Sequence, residues 1–267
     1  MKRAGWILLA GAAACASAPL PAHDEIPIEV LRPGGPGRKP AVVLLHDCSG
    51  LGPRSSGGAR RWAKVLLEEG YVVLIPDSFS PRGFAGGVCT EASPRRQEVG
   101  PLRRVDDALA ALRHARSLPF VEAERIAVMG ASHGGASTLA TLASPKAVKA
   151  REAFRAGIAL YPSCSGRASY RPHAPLLILT GELDDWTPAE PCRRLADGAR
   201  AAGHDVTIKV YPGAHHSFDN NAPVRYRAER MNRNAPAGRG ATTGGNAEAW
   251  ADSIREVKAF LARHLRS

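Results

Sequence analysis

The chain has 267 residues, 44% hydrophobic and 23% charged, which supplies apolar material for a substantial core and excludes a disordered or fibrous chain. Lys and Arg outnumber Asp and Glu by 36 to 25, for a formal charge of +11. The arginines are scattered in pairs such as Arg60-Arg61, Arg95-Arg96, Arg103-Arg104 and Arg193-Arg194, neither gathered on one element nor interleaved with stacking aromatics, which argues against a nucleic-acid partner and leaves steering of anionic substrates open.

The chain begins MKRAGWILLAGAAACASA. Lys2 and Arg3 form a positive end, Trp6 to Ala14 an apolar run too short to span a bilayer, and Ala16-Ser17-Ala18 a small-residue cleavage site, so residues 1–18 read as a signal peptide and 19–267 as one domain. The expected location is outside the cytoplasm, most naturally the periplasm, with Cys15 a second candidate signal for lipid attachment. No later apolar stretch is long enough for a membrane span. Of five cysteines, Cys48, Cys89, Cys164 and Cys192 remain after such cleavage. In an oxidising compartment they are expected as disulfides, and the absence of C-x-x-C spacing argues against zinc. No metal or cofactor motif appears.

Apolar runs at Ala41–Leu45, Val72–Ile75, Ile126–Met129, Gly157–Tyr161, Leu176–Thr180 and Val206–Val210 read as strands, most of them continuous enough to be covered on both faces. Amphipathic segments lie between most of them: Ala59–Glu69, stopped by Gly70, then Arg104–Arg116, Ala136–Leu142 and Pro191–Ala202. Trp250, Ile254, Val257 and Leu261 mark a last helix. The alternation predicts an α/β fold, a mostly parallel central sheet with helices on both faces and a ligand site beyond the carboxyl ends of the strands. Ser78–Leu102, rich in Gly and Pro, reads as a long ordered loop. Asn220–Asn246, with NRNAPAGRGATTGG at its centre, reads as a flap or a surface excursion, the latter favoured for its central part. There is no internal repeat or heptad, and no oligomeric state is assigned.

Within this frame VMGASHGG places Ser132 in a G-x-S-x-G pattern directly after a strand and before a helix. Gly130 and Gly134 leave room for a sharp turn that exposes the hydroxyl, and the His133 amide at the helix start is a candidate oxyanion donor. The Cys48 amide, in LLHDCSGLG, is the candidate for the second donor, with Asp47 or Ser49 as alternatives. His46 in the same loop is a candidate for lining the site, although backbone bonding that holds the loop is the preferred role. GELDDWTP follows a strand and offers Asp184, with Asp185 and Glu182 as competitors. YPGAHHSFD follows the last predicted strand and offers His216 as base, with His215 packing or lining the site. The order Ser132, Asp184, His216, each just past a strand, is the order that acyl transfer by a nucleophile, acid and base requires on such a sheet.

PDSFSPRGF, GASHGG, GELDDWTP and YPGAHHSFD together resemble the dienelactone hydrolase family of the α/β-hydrolase superfamily, especially its exported bacterial members, over Ile26 to the end of the chain. The resemblance implies Ser132 as nucleophile, Asp184 as acid and His216 as base. The namesake enzymes carry a cysteine nucleophile where this elbow presents serine, so the expectation is a general ester or lactone hydrolase acting on a small molecule. Arg82, Phe84 and Trp186 are further candidates for lining the substrate site. Cys48–Cys89 and Cys164–Cys192 are the expected pairings, because each would join loops at one edge of the sheet. The alternatives in view are a peptidase or acyltransferase on the same fold, and a noncatalytic binding protein.

Overall fold

The computed structural model describes residues 26–149, 152–166 and 169–266; the expected signal segment and Cys15 lie outside them. The elements run β1 (Ile28–Leu31), β2 (Lys39–Leu45), α1 (Gly58–Glu68), β3 (Val72–Pro76), α2 (Arg104–Ser117), β4 (Val121–Ala131), α3 (His133–Leu142), α4 (Pro145–Lys149), β5 (Ala156–Leu160), β6 (Leu176–Gly181), α5 (Ala189–Ala201), β7 (Val206–Tyr211), β8 (Arg225–Met231), β9 (Arg239–Thr243) and α6 (Ala247–Leu265). Seven strands form one sheet in the order β1-β3-β2-β4-β5-β6-β7. All its pairings are parallel except that of β1, which runs antiparallel to β3 at the edge. This is an α/β-hydrolase fold.

The alternation of side chains along each strand builds two cores. On one face Ala41, Val43, Leu45, Val128 and Ile178 meet Leu109 and Leu112 of α2, Leu139 of α3 and Leu195 of α5. On the other, Val42, Leu44, Val73, Met129 and Leu177 meet Trp62 and Leu66 of α1 and Val257, Leu261 and Leu265 of α6. Strands covered on both sides are what the continuous apolar runs encode. Helix α1 ends as expected at Gly70, whose φ of 81° closes a left-handed cap with bonds from the Gly70 and Tyr71 amides to the carbonyls of Leu67 and Leu66. Helix α6 begins on the Asn246 side chain, which accepts from the Ala249 amide at 3.0 Å.

Besides the short helix α4, which is not among the expected elements, sequence and structure part at β1 and at residues 220–246. Strand β1 is only partly buried and sits between Pro27 and Pro33, so IEVL carries no apolar run to reveal it. Residues 220–246, read as an excursion, contain the antiparallel hairpin β8–β9, whose outer strand is exposed over Arg225–Glu229. Residues 78–102 form a loop as expected, interrupted by short 3-10 helices at Ser80–Arg82 and Pro94–Val99. Cys48–Cys89 ties the loop after β2 to this long loop, and Cys164–Cys192 ties the loop after β5 to α5. Loop-closure entropy gives each bridge a stabilising contribution of at most about 4 kcal/mol.

Candidate active site

Ser132 stands between β4 and α3 with a φ of 53°, a conformation costly for a residue with a side chain and one of three such non-glycine positions among the described residues. The surrounding glycines make the turn feasible. A Cβ on Gly134 would lie 2.0 Å from the Leu45 carbonyl oxygen, and one on Gly130 would lie 2.4 Å from the Gly134 carbonyl carbon. The Ser132 amide donates to the Leu160 carbonyl at 2.9 Å, anchoring the turn to β5. The serine hydroxyl is thereby lifted to the carboxyl edge of the sheet, where it remains 8% exposed.

Asp184 and His216, from the loops after β6 and β7, complete a continuous chain of bonds. Ser132 Oγ lies 2.9 Å from His216 Nε2, and His216 Nδ1 lies 2.8 Å from Asp184 Oδ2. The carboxylate is acceptor-only, so the neutral imidazole donates from Nδ1 and keeps Nε2 free to accept from the serine. Asp184 Oδ1 accepts from the Trp186 and Thr187 amides at 3.0 and 2.8 Å, which fixes its rotamer. Ser132, His216 and Asp184 thus have the geometry of a serine-hydrolase triad.

The other candidate positions fall into distinct environments. Asp185 turns outward and accepts from the Thr242 amide and hydroxyl, both at 2.8 Å, while Glu182 accepts from the Gly213 amide at 3.1 Å. His215 turns toward the Leu183 carbonyl, 3.0 Å from its Nδ1. Trp186 stands beside the base, its ring 4.8 Å from that of His216, and its Nε1 donates to the Met231 carbonyl at 2.8 Å. Phe84 is buried with Cys48, Phe79, Val88, Cys89 and Val99 in a small apolar cluster that Trp186 touches.

Arg82 and His46 both lie in the interior, and His46 takes the loop-holding role preferred for it. Arg82 is buried, with bonds of 2.8 and 2.7 Å to the two carboxylate oxygens of Asp107 and one of 2.6 Å to the Ser78 carbonyl; its charge is neutralised within the fold. His46 is also buried, with Nδ1 donating to its neighbour Asp47 at 2.9 Å and Nε2 accepting from the Ser78 amide at 3.3 Å. Burial, reinforced by the Arg104 charge, pushes the His46 pKa down to about 3. It is a neutral clamp between two loops.

Other residues around the triad escaped the sequence reading. Thr187 Oγ1 lies 2.9 Å from Asp184 Oδ2, 3.0 Å from the Tyr161 carbonyl and 3.0 Å from His216 Nδ1. Tyr161, with a φ of 35°, sets its ring 4.7 Å from His216 and donates its hydroxyl to Asp219 Oδ1 at 2.8 Å. Trp62 donates to the other Asp219 oxygen at 2.6 Å, and burial pushes that carboxyl above its ordinary range. Thr187, three residues past Asp184 in DDWTP, and Asp219, closing YPGAHHSFD, lie within the acid and base motifs. Tyr161 and Trp62 carried no local signal. Among the described residues, no three metal-ligating side chains converge, and no helix is long and apolar enough to cross a membrane.

Comparison with known proteins places this geometry. The chain is 28% identical over 218 residues to the "Putative carboxymethylenebutenolidase" of Methylorubrum extorquens, covering 79% of this chain and 72% of that protein. In fold it resembles the crystal structure of a "Putative Dienelactone Hydrolase" from Klebsiella pneumoniae, with a TM-score of 0.64 and 21% identity over 89% of this chain and 92% of the other. It also resembles esterase 2 of Thermogutta terrifontis phosphorylated by paraoxon, with a TM-score of 0.59 and 18% identity over 88% of each chain. The model of the dienelactone hydrolase family matches residues 27–265, and the chain therefore belongs to that family, within the α/β-hydrolase superfamily.

Proposed function

We propose that this protein hydrolyses a carboxylic ester or lactone of a small molecule through an acyl-enzyme on Ser132. The observation that carries the reading is the unbroken relay from Ser132 Oγ to His216 Nε2 at 2.9 Å and from His216 Nδ1 to Asp184 Oδ2 at 2.8 Å. His216 takes the serine proton as Oγ attacks the carbonyl carbon, and the carbonyl oxygen becomes an oxyanion. The His133 amide, in the open first turn of α3, and the Cys48 amide receive that charge, each such donor contributing on the order of 3 kcal/mol. Imidazolium returns the proton to the departing alkoxide, which leaves as an alcohol or stays attached where a lactone ring has opened. Water, deprotonated by the same imidazole, then attacks the acyl-enzyme and releases the acid. Asp184 holds the tautomer and stabilises the imidazolium throughout. Trp186, beside His216, is the side chain placed to contact the acyl or alcohol group.

The N-terminal positive end, apolar run and small-residue site support export after cleavage near residue 18, the remaining chain acting as one catalytic domain. The two disulfides accord with an oxidising compartment such as the periplasm.

The deciding experiment is intact-mass analysis of the protein after incubation with a fluorophosphonate, beside Ser132→Ala. A single adduct on the unmutated protein and none on the variant is expected, and a screen of esters and lactones then defines the acyl group. No adduct on a folded, disulfide-intact sample would reject the activated serine; an adduct that persists in the variant would assign the nucleophile elsewhere.

A further inference from the structure

Arg104, the first residue of α2, is 0% exposed, and its environment is unusual for a buried cation. Its Nη1 donates to the His46 carbonyl at 2.9 Å and to His133 Nδ1 at 2.9 Å, while its Nε and Nη2 find no hydrogen-bond partner among the described residues. The Phe79 ring centroid lies 5.1 Å from the guanidinium carbon. Among the described residues, no carboxylate lies within ion-pair distance. Asp107, on the same helix, presents both of its oxygens to Arg82 and attracts Arg104 only from longer range, as Asp47 and Asp77 do more weakly. Burial lowers the Arg104 pKa to about 10, so the group is cationic at neutral pH. The two basic neighbours are not: burial and the same guanidinium hold His46 and His133 in their neutral forms.

A buried charge with no carboxylate at ion-pair distance is a standing cost to the fold. The position of this one suggests what offsets it. Arg104 bridges the two segments that supply the oxyanion donors of the proposed mechanism: the ring it contacts belongs to His133, and the carbonyl it holds belongs to His46, two residues before Cys48. We propose that Arg104 is a positioning residue of the oxyanion site, joining these two segments and supplying a fixed positive potential that favours the negative tetrahedral intermediate. The charge touches neither substrate nor nucleophile. It acts through water-excluded protein, where unit charges several ångströms apart interact far more strongly than in water. The substrate is neutral at the reacting carbonyl and the intermediate is anionic, so such a charge favours the intermediate selectively.

This inference rests on the hydrolase reading above, and its test separates the two. Arg104→Gln removes the charge while keeping a donor; Arg104→Met removes both; Arg104→Lys keeps the charge. With a neutral p-nitrophenyl ester, the Gln and Met variants should lose about 10- to 100-fold in kcat, with KM unchanged within about threefold. Affinity for an arylboronic acid, which becomes a tetrahedral anion on the serine, should fall in parallel, and the Lys variant should recover most of both. Structural damage alone would not follow the charge. Gln and Lys variants impaired equally, or a folded Gln variant within twofold of the unmutated protein in kcat and boronate affinity, would overturn the assignment. Should the Met variant fail to fold, the Gln and Lys pair still decides. An unmutated protein that neither reacts with fluorophosphonate nor binds boronate would overturn the hydrolase reading, and this inference with it.

Discussion

Ser132 and His216 meet at 2.9 Å, but the two sides of that contact are held by different physics. The serine side is steric. Its turn closes because Gly130 and Gly134 carry no Cβ, and its walls are the backbone of the loop after β2 and the edge of β5. The acid and base side is polar. Asp184 is fixed by amides of its own loop, His216 is flanked by Tyr161 and Trp186, and the hairpin β8–β9 is fastened to that loop through Asp185. A steric site should accept no added atom, whereas a polar site should lose ground in proportion to the bonds removed.

The first of these expectations predicts the largest effect. Gly134→Ala would put a methyl group 2.0 Å from the Leu45 carbonyl oxygen and 2.7 Å from that of His46, against backbone that cannot swing aside. The variant should fail to give folded protein, and a cooperative melt near that of the unmutated chain would refute the account. Asp184→Asn probes the other side. The Asn amide nitrogen would donate where Oδ2 now accepts, driving the imidazole into the tautomer that presents Nε2–H to Ser132. A loss in kcat on the order of 10,000-fold is expected with the fold intact. A loss below about tenfold would mean that another group orients His216.

The same contrast explains what could be read in advance. Strands β2 to β6 were legible because burial on both faces demands unbroken apolar runs, β7 at the sheet edge because its branched residues alternate with Thr207 and Lys209, and helices α1, α2, α5 and α6 because each has one apolar stripe. The nucleophile, acid and base positions were legible because each lies just past such a run. The hairpin was not, because its outer strand carries Arg225, Arg227 and Arg230 and its attachment is through polar bonds rather than an apolar face. Arg104 and Asp219 were hidden for a related reason: their partners are brought in from 58 residues away in the one case and as many as 158 in the other. Both disulfides could be anticipated, since sheet topology alone gathers their loops at one edge.

The clamp beneath the serine side makes a prediction about acid. His46 is neutral when folded, with a pKa near 3, whereas in the unfolded chain it takes up a proton below about 6.5. Its contribution to stability is therefore complete above pH 6.5 and is lost progressively as pH falls toward 3, at about 1.4 kcal/mol per pH unit. Denaturant melts at pH 6.5 and 4.5 should show the unmutated protein losing roughly 2–3 kcal/mol more than His46→Gln over that interval. Carboxylate titration is common to both proteins and cancels in the difference. Equal losses would show that the folded clamp accepts a proton freely.

The smallest expected effect falls on the exposed fastening of the hairpin. Asp185→Ala removes the acceptor of the Thr242 amide and hydroxyl but leaves the bonds from Asn232 to the Asp185 and Gly240 carbonyls, from Asn234 to the Trp186 carbonyl, and from Met231 to the Cys89 carbonyl. Because Asp185 is exposed, water can replace what the variant lacks, so global stability should change by about 1 kcal/mol or less. The hairpin nevertheless adjoins the base directly: Thr243 bridges to His216, and the Gly244 amide donates to the His216 carbonyl at 3.1 Å. A loosened hairpin should therefore appear as faster amide hydrogen exchange confined to residues 225–243 and a rise in KM of a few fold, with the fluorophosphonate adduct still forming on Ser132. If exchange and KM both stayed at the unmutated values, the Asn232 and Asn234 bonds would be sufficient to hold the hairpin, and the expectation that the polar side loses ground in proportion to the bonds removed would fail there.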